Sequence, residues 1–275
     1  MDGRKRKFIL ELQKKSRLRR ESGLYVIDGP KMAKEVPSEI VEEICVTKEF
    51  MSSVHMAECS QLLKEAGFTV ISESEMRQIS DTVSPQGILI VARQNRIRGL
   101  KELLSSGGTP LLLILETIQD PGNLGTILRA SEAAGVTGVI MDRETVDVYS
   151  PKVVRSTMGA ILRVPFLCVE DLVKAAVTLK EGGIPGQPPV TLYAAHLLGA
   201  ADYTEVSYRG PSAVMIGNES KGLSDTLASL ADRRILIPMC GHVESLNAAM
   251  AAAVISFEAA RQRRGTGILT EKQEL

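Results

Sequence analysis

Residues 213–253 constrain this chain most, because two short apolar runs of β type each end abruptly in a polar turn, ahead of a long alanine-rich helical pattern. The first run, 213–216, passes into GNESKGLS; the second, 235–237, passes into PMCGHVES, and the helical pattern begins near Ser245. Gly217 and Gly222 bracket Asn218, Glu219 and Ser220, while Pro238 and Gly241 let the chain bend sharply and bring bare backbone close to a bound molecule. Neither turn is a phosphate cradle. The chain contains no G-x-x-x-x-G-K-[ST], no G-x-G-x-x-G and no G-x-S-x-G, so nucleoside triphosphate, ordinary dinucleotide and α/β-hydrolase chemistry lack their signatures.

A further apolar run at 111–115 leads into DPGNLGTILRAS, which places Asn123, Gly125 and Arg129 on a helix entered through a Pro-Gly turn. Three blocks therefore occur in order: N-x-G-x-x-x-R (Asn123, Gly125, Arg129), I-G-N-E-x-x-G (from Ile216 to Gly222) and I-P-M-x-G-x-x-E-S-L-N (from Ile237 to Asn247). Together they closely resemble the motifs of SPOUT-class RNA methyltransferases, in particular the SpoU/TrmH family of ribose 2′-O-methyltransferases. The segment SPKVVRSTMGAILRVP (150–165) is a fourth similar block. The resemblance implies an α/β domain with a mostly parallel sheet, a deep trefoil knot near the C-terminus, S-adenosylmethionine as cofactor and a homodimer.

Carried over position by position, the resemblance implies that Arg129, Asn123, Glu219, Ser245 and Asn247 lie at the reaction centre, and that backbone at Gly217, Ile237 and Leu246 holds the cofactor. Asn123, at the entry to a helix, and Ser245 and Asn247, before the alanine helix, also suit N-caps, so capping and site roles both stay open. A ribose hydroxyl needs its proton drawn off and tight alignment with the methyl carbon. An ordinary arginine stays protonated, so Arg129 is expected to grip a phosphate and stabilise the developing alkoxide rather than act as a base.

The 275 residues are 44% hydrophobic, enough for two ordinary cores. Apolar runs are too short to span a bilayer and the N-terminus carries charge where a signal peptide needs an apolar core, so a cytoplasmic protein is expected. Four scattered cysteines and three histidines show no ligand spacing, and no metal site is expected; Cys240 and His242 alone are too few. Net charge is zero, but the first twenty residues carry nine basic side chains (Arg4, Lys5, Arg6, Lys7, Lys14, Lys15, Arg17, Arg19, Arg20) against Asp2 and Glu11. Such a segment suits RNA phosphates; a solvated helix face is the competing explanation.

Phe8, Ile9, Leu12 and Leu18 recur with loose helical spacing in that segment, which Gly23 ends. Strands are expected at 24–27, 40–46, 68–71 and 87–92, with helices at 31–36 and 56–66. The start of this unit resembles the substrate-binding domain that precedes the knotted domain in many SpoU-type enzymes, a module with the fold of a small RNA-binding ribosomal protein. That likeness favours ribosomal RNA; transfer RNA methylation and a non-catalytic role in ribosome assembly are the alternatives. The expected organisation is an RNA-binding domain at 1–95, a linker at 96–109 and a methyltransferase domain at 110–275. In the latter, strands at 111–115, 138–141, 163–166, 190–194, 213–216 and 235–237 alternate with helices, which implies a mostly parallel sheet. The tail after Gly265 reads as polar and frayed.

Overall fold

The computed structural model describes residues 1–95, 97–198 and 201–264, with the side chain of Ser106 excepted; Arg96 in the expected linker and the tail after Gly265 lie outside the described residues. The chain forms two compact units. The first is built from Met1–Arg96 together with Asp147–Leu162, the second from Ile97–Val146 and Arg163–Leu275. Two details differ from the sequence expectation. The segment Asp147–Leu162, read as part of the C-terminal domain, belongs to the first unit, and the expected linker holds a short helix ending at Leu103, with Leu103 and the following Leu104 buried in the core of the second.

The first unit runs α1 (Gly3–Lys14), α2 (Ser16–Ser22), β1 (Leu24–Asp28), α3 (Pro30–Ala33), β2 (Val41–Thr47), α4 (Lys48–Met51), α5 (His55–Ala66), β3 (Thr69–Ile71), α6 (Glu73–Ile79) and β4 (Ile88–Arg93). Its four-stranded sheet has the order β1-β4-β2-β3, antiparallel except for the β2-β3 pair. Ile9 and Leu12 of α1 enter a core with Val26, Cys45, Ile71, Met76, Ile79, Leu89 and Val91. The helix α6, absent from the sequence reading, starts at a capping box in which Ser72 and Glu75 satisfy each other's backbone N–H.

The basic segment is two helices, not one, because Lys15 adopts an extended conformation between them. The break turns Arg19 inward. Its guanidinium donates to the carbonyls of Leu12 and Gln13, which the end of α1 leaves unpaired, and pairs with Asp147 at 2.7 Å. Arg19 is therefore buried structure and not part of an RNA-facing surface, a correction to its assignment from charge alone. Lys5 pairs with Glu43, Lys15 with Glu11 and Arg17 with Glu21; Arg4 lies 4.0 Å from Asp2 and Arg6 donates to Gln78. Lys7, Lys14 and Arg20 are exposed, and their side chains make no hydrogen bond or ion pair with a described residue.

The second unit continues with α7 (Leu100–Leu103), β5 (Leu111–Leu115), α8 (Pro121–Ala134) and β6 (Gly138–Asp142). The chain then contributes α9 (Pro151–Ser156) to the first unit before β7 (Phe166–Val169), α10 (Leu172–Lys180), β8 (Thr191–Ala195), β9 (Ala201–Asp202), β10 (Ser212–Ile216), α11 (Asp225–Ser229), β11 (Arg233–Leu236) and α12 (Ala248–Arg263). The strand expected at 163–166 lies three residues later. Pro165 has no N–H to give a ladder, and only its carbonyl is used, accepting from Val139. The two-residue β9 was not foreseen.

All seven strands are parallel, in the order β7-β6-β5-β10-β8-β11-β9. Every residue of β5 and β10 is buried, as a strand covered on both faces requires. β6 and β7 spread to one side of β5, while β10 and the strands beyond it lie on the other. The order therefore reverses between β5 and β10, where open α/β sheets place their ligand crevices. No helix among the described residues is long and apolar enough to cross a membrane.

Replacing Arg19 with Met leaves Asp147 without its counterion and two helix-end carbonyls without donors. The variant should lose about 3 kcal/mol of unfolding free energy, read from urea melts. Lys14→Met, at an exposed position, should change stability by less than about 0.5 kcal/mol.

Candidate active site

β5 and β10 run side by side, with Leu115 opposite Ile216, and Glu116 N–H donates to the Ile216 carbonyl at 2.9 Å. The loops 116–120 and 217–223 thus leave the sheet together. The second loop closes on itself: Asn218 and Gly222 exchange both backbone hydrogen bonds, at 3.0 and 2.9 Å, with Gly222 at φ 70°. Gly217 is required by space. A Cβ there would sit 2.1–2.3 Å from the backbone of Gly222 and Leu223.

Asn218 holds this loop. Its Oδ1 accepts from the N–H of Ser220 and Lys221, and its Nδ2 donates to the Thr117 carbonyl at 2.8 Å. Glu116 adds a second tie, accepting from the Ser224 N–H at 2.7 Å and the Ser224 hydroxyl at 2.6 Å. Neither Asn218 nor Glu116 was singled out from sequence. An Asn between two glycines in a turn is a signal for side-chain-to-backbone bonding, whereas nothing local marks Glu116.

Glu219 joins the first two sequence blocks, and Asn123 joins the third to them. The Oε1 of Glu219 accepts from Asn123 Nδ2 at 2.9 Å and from the Asp120 N–H at 3.2 Å, and its Oε2 accepts from the Gln119 N–H at 3.2 Å. Asn123 Oδ1 in turn accepts from Asn247 Nδ2 at 3.0 Å, and Asn247 Oδ1 accepts from the Ala249 N–H at 2.8 Å. Burial pushes the Glu219 carboxyl up, but hydrogen bonds from Asn123 and from the backbone of Glu219, Gln119 and Asp120 outweigh it and leave the pKa below the usual carboxylate value.

The N-cap of α8 is Asp120, whose carboxylate accepts from the Asn123 N–H, so Asn123 is not the cap. Asn247 is the cap of α12 and a member of the site at once; Ser245 does not cap that helix and is exposed. The bond between Asn123 and Asn247 sets the first turns of α8 and α12 together, and the two helices pack against each other. Buried Gly125 on α8 and buried Ala248, Ala249 and Ala252 on α12 supply the small side chains that close approach needs.

Arg129 lies six residues beyond Asn123 on α8. It is exposed, outside the hydrogen-bonded cluster, and pairs with no described residue. Ile237 and Leu246 are half-buried. Residues 237–246 make no hydrogen bond with another described residue, through backbone or side chain, so their main-chain groups remain free for a ligand. Cys240 and His242 are exposed in this segment, and among the described residues no three His, Cys, Asp or Glu side chains converge as metal ligands.

A parallel sheet with crossover helices, its strand-end loops tied at the point of reversal, defines an α/β protein with a ligand site at the carboxyl edge of the sheet. The chain belongs to the SpoU rRNA Methylase family, whose model matches residues 110–257; the model of the MRM3-like substrate binding domain matches residues 4–90. It is 37% identical over 160 residues to a protein of Staphylococcus haemolyticus assigned to the TrmH family of tRNA/rRNA methyltransferases. That match covers 58% of this chain and 62% of the relative, so the chain spans less than two thirds of the length of the curated relatives it resembles first. Among solved structures it is similar to the SpoU methyltransferase AviRb of Streptomyces viridochromogenes in complex with AdoMet (26% identity, 95% of this chain and 99% of that one, TM-score 0.82). It is also similar to the AdoMet-bound rRNA methyltransferase of Sinorhizobium meliloti (26% identity, 98% and 96%, TM-score 0.78).

Gly217→Ala should destabilise the protein by about 2 kcal/mol or more, since backbone and not a flexible side chain must yield; Gly241→Ala, with nothing within 4 Å of the added Cβ, is the neutral control in the same thermal melts.

Because Glu219 is easier to ionise folded than unfolded, its contribution to stability is complete above the unfolded carboxyl pKa of about 4.3 and fades as pH falls through the lower folded value. Glu219→Gln should be less stable than the parent at neutral pH. The gap in urea melts should narrow below pH of about 4.

Proposed function

We propose that this protein is an S-adenosylmethionine-dependent RNA methyltransferase that modifies a ribose 2′-hydroxyl, with ribosomal RNA as substrate. One observation carries the reading: the link from Glu219 through Asn123 to Asn247 joins all three sequence blocks at one sheet edge, and the helix that carries Asn123 also carries a cation, Arg129, that no described residue engages. The family model and the AdoMet-bound relatives support the cofactor, and a relative described as an RNA 2′-O ribose methyltransferase (26% identity, TM-score 0.77) supports the position of the methyl group. The match to a family of rRNA methylases and the likeness to the Sinorhizobium meliloti rRNA methyltransferase favour ribosomal over transfer RNA.

The residues present fit this cofactor. Gly217 keeps side-chain atoms out of a crowded turn, and the unengaged backbone between Ile237 and Leu246 offers donors and acceptors to an adenine and an amino-acid moiety. Bound, S-adenosylmethionine supplies an electrophilic methyl group on a sulfonium. Glu219 is a poor base for the hydroxyl, because the hydrogen bonds from Asn123 and from the backbone of Gln119 and Asp120 hold its carboxyl below the usual carboxylate pKa; it organises the loops. Arg129, a cation, holds a phosphate and steadies negative charge on the attacking oxygen. The adjoining N-terminal turns of α8 and α12 add positive potential at the same place.

Of the N-terminal basic residues, Lys7, Lys14 and Arg20 are exposed with side chains that no described residue engages, which suits them to RNA phosphates. The working form in this reading is a cytoplasmic homodimer, with the segment after β11 threaded as a trefoil knot. The return of the chain from β11 across β10 to α8 supports that threading.

With labelled donor and ribosomal RNA, Arg129→Ala and Arg129→Lys should lower methyl transfer by about two orders of magnitude or more while donor affinity by calorimetry stays near the parent value. Mapping of ribose methylation in cells with and without the protein tests the substrate: a site lost from transfer RNA alone overturns the ribosomal reading.

A further inference from the structure

We infer that Asp142, a residue outside every sequence block, is a positioning residue for the site: it holds Thr117 in a left-handed backbone conformation and so aims the amides of Gln119 and Asp120 at Glu219. The inference rests on the loops at the ends of β5 and β10 being the reaction centre.

Thr117 has φ 56°, and among the described residues only Met158 shares a positive φ without being glycine. A β-branched side chain disfavours this region, so the conformation persists only if its surroundings fix it. Asp142, the last residue of β6, provides the fixing. Its Oδ2 accepts from both the N–H and the hydroxyl of Thr117, each at 2.8 Å. Its Oδ1 accepts from both the N–H and the hydroxyl of Thr145, again at 2.8 Å. Four donors fill the carboxylate.

The grip extends one residue each way. Thr145 Oγ1 accepts from the Ile118 N–H at 3.2 Å, the Ile118 carbonyl accepts from the Val146 N–H at 2.8 Å, and the Thr117 carbonyl accepts from Asn218 Nδ2. Every backbone N–H and carbonyl of Thr117 and Ile118 is thereby engaged. The next two amides, of Gln119 and Asp120, are the ones that donate to Glu219. If Thr117 relaxed to negative φ, the chain beyond it would swing and both amides would leave the carboxylate.

The test uses the full chain and follows the Glu219 carboxyl by carbon-13 NMR titration, with methyl transfer as a second readout. Asp142→Ala should raise the Glu219 titration midpoint towards that of an exposed carboxylate and lower turnover about tenfold or more. Adding Thr117→Gly should return both most of the way, because glycine takes positive φ without help. A Glu219 midpoint unmoved by Asp142→Ala, or a double variant no closer to the parent than the single, overturns the inference. Should Asp142→Ala not fold, Asp142→Asn with and without Thr117→Gly carries the same comparison. The titration needs no methyl transfer, so a parent protein inactive on RNA counts against the proposed function and leaves this result standing.

Discussion

An ionised carboxylate at Glu219 sets the direction of every hydrogen bond around it. A carboxylate only accepts, so Asn123 must present its amide nitrogen to Glu219 and its oxygen to Asn247. Asn247 must then offer its own nitrogen to Asn123, which leaves its oxygen to accept from the first turn of α12. One negative charge thus fixes the orientation of two amides and the start of a helix. Segments about a hundred residues apart in sequence are joined by three side chains, none of them in a hydrophobic core.

The scaffold behind this cluster is rigid where it needs to be. The sheet reverses its order at β5 and β10, both fully buried, so the loops that carry the site begin from fixed points. At the far end of α12, the buried guanidinium of Arg263 donates to the carbonyls of Thr109, Tyr208, Pro110 and Gly210, which lie at or before the starts of β5 and β10. The helix is therefore held at both ends: by Asn247 at the site, and by Arg263 beneath the sheet. By contrast, residues 237–246 make no hydrogen bond to a described residue. Order is concentrated in the groups that set charge, and this stretch of main chain is left uncommitted.

Much of this was legible in the residues. The apolar run 111–115 and the abrupt end at Ile216 mark buried parallel strands, the abrupt end near Leu236 marks a further parallel strand, and the order of the three blocks marks which loops meet. What local sequence does not carry is long-range pairing. Charge counting placed Arg19 on a surface because nothing near it in sequence reveals Asp147. Asn123 looked like a cap because it follows a Pro-Gly turn, yet Asp120, three residues earlier, takes that role. Thr117 gave no sign at all, since a β-branched residue is the last choice for a positive φ, and only the carboxylate of Asp142 makes it tenable.

The return of Asp147–Leu162 to the first unit bears on how such a protein is taken apart or assembled. No single cut liberates either unit whole. A fragment that stops at Arg96 keeps Arg19 in its interior but forfeits Asp147, and keeps Tyr25 but forfeits the ring of Tyr149, 4.7 Å away. Grafting the small module onto another catalytic body therefore demands two junctions, and shuffling in evolution faces the same requirement. The two units are bound together by the path of the chain itself.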